Sequence, residues 1–225
     1  EAVNPAHRWW EEFYVDAFAE YASVHGLGLE DITLRVQSRK QDLVAPPAPA
    51  PRPGRRLLLC GLGGGKDSLV ARHLCLAQPE VEVVDWVYVA DGLDEFDHSK
   101  RLNEIVRVSG ARCRVLRREF DYESLNKKRA TRHDATGHPW AALVAFDSIA
   151  AARYYGYEAV VVGNERSASF GNGRYVGELE VNHQFDKSVA VERKINSYAG
   201  GAIHYFSPLQ PLWEVQIVAL MCNEP

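Results

Sequence analysis

Residues 57–74, "LLLCGLGGGKDSLVARHL", pass from an apolar stretch through three consecutive glycines into a segment with helical spacing. Leu57, Leu58 and Leu59 read as the end of a buried strand, and Leu69, Val70, Leu74 and Leu76 recur as on a helix packed against a sheet. The junction is a strand, a glycine turn and a helix. Backbone N–H groups surround an anion only where side chains leave room, and Gly63, Gly64 and Gly65 leave it three times in a row. The free amides and positive dipole end of the next helix face the same place, with Lys66 adding charge and Ser68 a hydroxyl. The expectation is a phosphate site.

Two common glycine motifs fail against these letters. The pattern G-x-x-x-x-G-K-S/T needs glycine at Cys60 and a hydroxyl residue at Asp67, and G-x-G-x-x-G starts at Gly61 and Gly63 but meets Lys66 at its last position. Gly63 to Ser68 do fit S/G-G-G-x-D-S, and in these residues the chain resembles the N-type ATP pyrophosphatases, the PP-loop family. The resemblance implies a Rossmann-like α/β fold of the adenine nucleotide alpha hydrolase type. It also implies that Gly63, Gly64, Gly65, Lys66 and Ser68 bind the pyrophosphate part of ATP, which is cleaved between its α and β phosphates. A carboxylate beside a triphosphate is repulsive unless a divalent cation lies between them, so Asp67 is the expected Mg²⁺ ligand. A capping aspartate would need neither three glycines nor the lysine.

The rest of the chain continues the alternation. "VEVVDWVYVAD" (81–91), "RCRVLRREF" (112–120) and "EAVVVGNE" (158–165) read as strands, and residues 98–110 and 139–156 as helices, each closed by glycine. Strands and helices in turn imply a doubly wound, mainly parallel sheet with helices on both faces. Ligands of such sheets bind at the carboxyl ends of the strands. That rim holds residues 61–68, Asp91 and Gly92, Phe120 and Asp121, and residues 163–167, and the PP-loop resemblance adds Val89 and Ala90 as backbone contacts for adenine.

Upstream, residues 4–25 place Trp10, Phe13, Phe18 and Tyr21 near helical spacing, as a docking face. "DITLRVQ" (31–37) suits a short strand, and "APPAPAPRPG" (45–54) is a proline-rich linker. Three parts are expected: a small N-terminal appendage (1–44), the linker (45–54) and the nucleotide domain (55–225), with further sequence expected beyond Pro225.

A hydrophobic content of 46% in 225 residues supports a proper core. A net charge of −4 gives no global footprint for nucleic acid or an anionic membrane. Cys60, Cys75, Cys113 and Cys222 are dispersed, without C-x-x-C, and read as reduced thiols, Cys60 and Cys75 in the core. With no membrane-spanning window either, a soluble cytoplasmic enzyme is expected, its oligomeric state open.

A second polar constellation follows the strand ending near Val162. "GNERSA", "GNG" and "VNHQFDKS" crowd Asn164, Glu165, Arg166, Asn182, His183 and Lys187 into one segment. A solvated loop could be this polar, but it has no reason to follow an apolar strand at the ligand rim. These letters, with the glycine turn and "PLWEVQIVALM" (211–221), are similar to the ATP-dependent UDP-N-acetylmuramoyl-L-alanyl-L-glutamate epimerase family over residues 57–221. That similarity implies ATP and Mg²⁺ as cofactors and a UDP-linked muramyl dipeptide, or a related peptide ending in glutamate, as substrate.

Removing a glutamate α-proton beside an anionic carboxylate builds charge on charge, and adenylating the carboxylate removes that obstacle. The implied reaction is adenylation, proton removal, return of a proton from the opposite face, and hydrolysis to the D-glutamyl product and AMP. His183 and Lys187 are the leading proton-transfer candidates and share a face if their segment is helical. Glu165 follows as base or Mg²⁺ ligand, and Arg166 suits phosphate or carboxylate. "RATRHDATGHPW" (129–140) could close over the ligand or remain an exposed loop. Two alternatives stay open: another PP-loop enzyme, either a ligase activating a carboxylate or nucleobase or a tRNA-modifying enzyme, and a non-catalytic adenine-nucleotide sensor.

Overall fold

The computed structural model describes residues 5–31, 55–90, 95–118 and 139–223. Strand β1 (Arg56–Gly61) carries the apolar run that precedes the glycines, and helix α1 (Pro5–Ala17) and helix α2 (Ala19–His25) lie before it. After β1 come α3 (Lys66–Leu76), β2 (Val81–Ala90), α4 (Glu95–His98), α5 (Lys100–Ser109) and β3 (Cys113–Arg117). Then follow α6 (Trp140–Tyr155), β4 (Ala159–Val161), the short strands β5 (Tyr175–Val176) and β6 (Leu179–Glu180), α7 (Val189–Ala199), β7 (His204–Phe206) and α8 (Glu214–Asn223). The main sheet has the order β3-β2-β1-β4-β7, every pair parallel, and β5 and β6 form a separate antiparallel pair.

Why β1 sits at the centre follows from its side chains. Successive residues of a strand point to opposite faces, and a strand covered by helices on both sides must be apolar on both. Leu59 joins Val87, Val160 and Tyr205 under Ala142 and Ala145 of α6 and Ile195 of α7. Its neighbours Leu58 and Cys60 join Trp86 and Val161 on the other face, under Val70 and Cys75 of α3, Leu102 of α5 and Ile217 of α8. This is the doubly wound α/β arrangement expected from the alternation. Cys60 and Cys75 are core residues, and burial pushes both thiols up, that of Cys75 to about 11.

Local signals set the helix ends. Ser99 accepts from the Leu102 N–H at 3.4 Å, so α5 starts at Lys100, and His98 belongs to the short turn before it. Gly110, Gly156 and Gly200 close α5, α6 and α7 in the left-handed conformation. The aromatic stretch at the start of the chain is two helices broken at Phe18 rather than one. Phe13 is buried in the core, and Trp10 meets Phe146 of α6 and Tyr198 of α7 at 5.0 and 5.3 Å between ring centroids. Tyr21 stands edge-on to Phe18. The expected strand from Ile32 onward, the linker, the 91–92 and 120–121 strand ends and the loop residues 129–138 lie outside the described residues.

Candidate nucleotide-type site at the switch point

In the order β3-β2-β1-β4-β7 the chain runs outward from β1 on one side and then crosses to β4 on the other, so the switch point lies between β1 and β4. A crevice opens there because the two connections leave in opposite directions. It holds a cavity of about 510 Å³ bounded by Gly61, Gly63, Gly65, Asp67 and Ser68 from the β1 end and Gly163 and Asn164 from the β4 end. Val87, Tyr88 and Val89 of β2, Glu95 of α4, Trp140 and Val144 of α6, and Lys187 are also among its lining residues. That volume suits a nucleotide-sized ligand.

The glycine turn is built for close approach. A Cβ on Gly63 or Gly65 would meet nothing within 4 Å, so both backbones lie open. Gly64 has φ +70, and a Cβ there would fall 2.6 Å from Leu102 Cδ2, so any side chain at this bend is strained. Gly65 precedes α3 with no side-chain cap on the helix start. Ser68 donates its hydroxyl proton to the Gly65 carbonyl at 2.9 Å and so tightens the turn.

A fourth glycine, whose packing role the sequence reading missed, fixes this turn against β4. A Cβ on Gly163 would lie 2.8 Å from the Asp67 carbonyl carbon, 2.9 Å from Asp67 Cβ and 3.0 Å from the Ser68 nitrogen. Backbone there cannot yield as a side-chain tip can, so β4 and the first turn of α3 touch only because residue 163 has no side chain. Its sequence signal is a glycine directly after the run Val160-Val161-Val162, where the chain leaves β4.

The charged residues divide. Asp67 lines the cavity, and its buried Oδ1 makes no well-directed hydrogen bond although Lys66 Nζ is 3.2 Å away. The Lys66 ammonium also meets Glu214 Oε1 of α8 at 3.0 Å; this contact is the main reason its pKa is raised, and Lys66 is not among the cavity-lining residues. Asp67, in the first turn of α3 beside an open backbone cradle, is the donor that fits a divalent cation.

Residues after β4 are held mainly by each other. Asn182 donates to the Ala168 carbonyl at 2.8 Å and accepts from the Gln184 N–H at 2.9 Å. Asp186 accepts from the Ala141 N–H at 2.6 Å and thereby caps the start of α6, which sets the adjacent Lys187 on the cavity wall. His183 lies in a turn before a single 3₁₀ turn at Phe185–Lys187, so no α-helical face unites it with Lys187. It is exposed and is not among the cavity-lining residues; burial raises the Glu20 carboxyl of α2, and His183 opposes that rise. Glu165 accepts from the Ser167 hydroxyl, while its Oε2 is buried without a partner. The Arg166 guanidinium lies 5.3 Å from the Trp213 ring centroid. Val89 reaches the cavity, and Ala90 is buried behind it, its carbonyl accepting from the Arg118 N–H at 2.9 Å.

Fold and site define a doubly wound α/β domain with a glycine-turn ligand crevice at its switch point. The MurL N-terminal domain family matches residues 1–208, and the chain belongs to that family. The match takes in residues 1–56, ahead of the 57–221 stretch that carries the resemblance in the sequence. Two curated relatives are named UDP-N-acetyl-alpha-D-muramoyl-L-alanyl-L-glutamate epimerase. The protein from Xanthomonas oryzae pv. oryzae is 30% identical over 221 residues, covering 92% of this chain and 44% of that protein. The one from Salinispora tropica is 31% identical over 215 residues, covering 91% and 42%. The chain thus spans less than half the length of these relatives. Among solved structures, the U34-tRNA thiolase NcsA of Methanococcus maripaludis, with its iron–sulfur cluster, matches at TM-score 0.46 and 15% identity, over 73% of this chain and 55% of that one. A Methanocaldococcus jannaschii protein described as a tRNA methyltransferase subunit matches at 0.41 and 15%, over 75% of each.

Proposed function

We propose that this chain is the ATP-using part of a UDP-N-acetylmuramoyl-L-alanyl-L-glutamate epimerase, which converts the terminal L-glutamate to D-glutamate at the expense of ATP. The observation that carries the reading is the open glycine cradle at the switch point, with the Asp67 carboxylate at its edge, in a chain of the MurL N-terminal domain family. Backbone amides of Gly63 to Gly65 and the start of α3 receive the outer phosphates of ATP. Asp67 holds Mg²⁺, which neutralises phosphate charge when bound. Val87 and Val89 form the wall against the base.

Activation transfers AMP to the glutamate carboxylate: a carboxylate oxygen attacks the α phosphorus and pyrophosphate leaves. The acidified α-proton is taken and a proton returned on the other face, after which water releases AMP. Lys187, on the cavity wall and on a long flexible stem, is the group assigned to proton transfer. Gly163 lets the β4 rim close on the turn, with Asn164 beside it on the cavity wall, so the reacting ends meet in one crevice.

The test is incubation of the chain with ATP, Mg²⁺ and UDP-N-acetylmuramoyl-L-alanyl-L-glutamate in D₂O. Substrate-dependent AMP and pyrophosphate, with deuterium at the glutamate α-carbon and D-glutamate on chiral analysis, are expected. AMP formation without deuterium uptake would point to a ligase and refute the epimerase reading. Binding of ATP with no turnover in the presence of substrate would favour a sensor.

A further inference from the structure

Phe170 and Trp213 stack with ring centroids 5.5 Å apart and planes 13° from parallel, and the Arg166 guanidinium lies over the Trp213 ring. Neither ring is packed away: Phe170 is 50% and Trp213 44% exposed. Two large aromatic side chains held parallel in water lose much of the apolar burial that would justify them in a core, so their arrangement calls for a ligand.

The pair is braced rather than loose. Arg166 N–H donates to the Leu212 carbonyl at 3.0 Å, joining the segment after β4 to the one before α8. Trp213 N–H donates to Gln216 Oε1 at 2.8 Å, and the next residue, Glu214, meets Lys66 of the glycine turn. The stack is therefore tied through one residue to the turn that bounds the cavity. A ring face beside a guanidinium is the chemistry that holds a planar base and an adjacent diphosphate: stacking tolerates any base, and the planar fork matches phosphate oxygens.

We propose that Phe170, Trp213 and Arg166 form the subsite for the uridine diphosphate end of the substrate, with uracil against the exposed ring face and Arg166 toward the diphosphate. The proposal rests on the epimerase reading, which supplies a substrate with a uridine diphosphate at one end and a glutamate at the other. One end then lies on the platform while the other enters the cavity beside the glycine turn.

The test titrates the 225-residue chain separately with UDP and with ATP plus Mg²⁺, by calorimetry and tryptophan fluorescence. UDP binding is expected, weakened about tenfold or more by Phe170→Ala and by Trp213→Leu, while ATP affinity is unchanged. Failure of UDP to bind, or equal binding to wild type and both variants, overturns the platform even if ATP binds normally. Loss of ATP binding with UDP binding and its sensitivity to Phe170→Ala intact supports the platform and counts against the adenylating reading instead. Phe170 is half exposed, so its variant keeps the test open should Trp213→Leu fail to fold, which thermal unfolding reports.

Discussion

The glycine turn after β1 and the polar segment after β4 border the same crevice, yet they are made differently. The turn presents backbone: three glycines, an uncapped helix start and a serine that bonds back to its own loop. The β4 segment presents side chains, and several are taken up by structural contacts, Asn182 within the segment and Asp186 at the start of α6. A backbone cradle is specified by which residues lack a Cβ, whereas a side-chain site is specified by directions that neighbours impose. Gly163 is where the two meet.

The largest effect is expected at that glycine. Gly163→Val places a side chain against Asp67 and Ser68 backbone, with an expected loss of roughly 1–3 kcal/mol in stability and about 100-fold in ATP affinity. Urea unfolding and calorimetry read both, and wild-type ATP binding in a folded variant would show that the contact does not shape the cradle. Asp67→Asn keeps the shape and removes the charge. It is expected to weaken Mg²⁺-dependent ATP binding roughly 10- to 100-fold, with metal-free pyrophosphate binding retained. Equal loss in both would assign Asp67 to the turn and not to the cation.

On the side-chain half, Lys187→Gln is expected to slow α-deuterium exchange by about 100-fold or more, the effect of removing a proton-transfer group. His183→Gln, at a position that does not line the cavity, should change it far less. The reverse order would place the chemistry nearer α2. The smallest effect concerns Glu192 of α7, which accepts from the Ser207 N–H at 3.1 Å and whose carboxyl is raised chiefly by burial. Between its unfolded and its raised folded pKa the native state binds more protons, so this group's contribution falls as pH rises through that window. Glu192→Gln keeps an acceptor without the charge. It should flatten that part of the stability profile and raise stability above the window, as read by urea unfolding across the acid range.

Much of the frame was legible because local signals agreed. Leu57 to Ser68 carried strand, turn and helix in unbroken order, and Gly110 and Gly156 closed their helices as expected. Helix α7 is hard to read from sequence although Ser188 caps it and Gly200 ends it, because the polar residues before it resemble a site more than a helix start. Strand β7 has three residues, too few for a period, and only its pairing with β4 makes it a strand. The aromatic spacing near the start indicated docking but not the break at Phe18.

The sequence by itself determined the glycine turn, the alternation and hence the crevice rim, because glycine conformation, helix capping and strand burial on two faces are local demands written in consecutive letters. Only the tertiary structure decided that Lys66 turns to Glu214, that Lys187 lines the cavity while His183 does not, and that Gly163 must be bare. Each of these depends on residues far apart in the chain arriving at one point, and an irregular polar segment has no periodicity from which that arrival can be read.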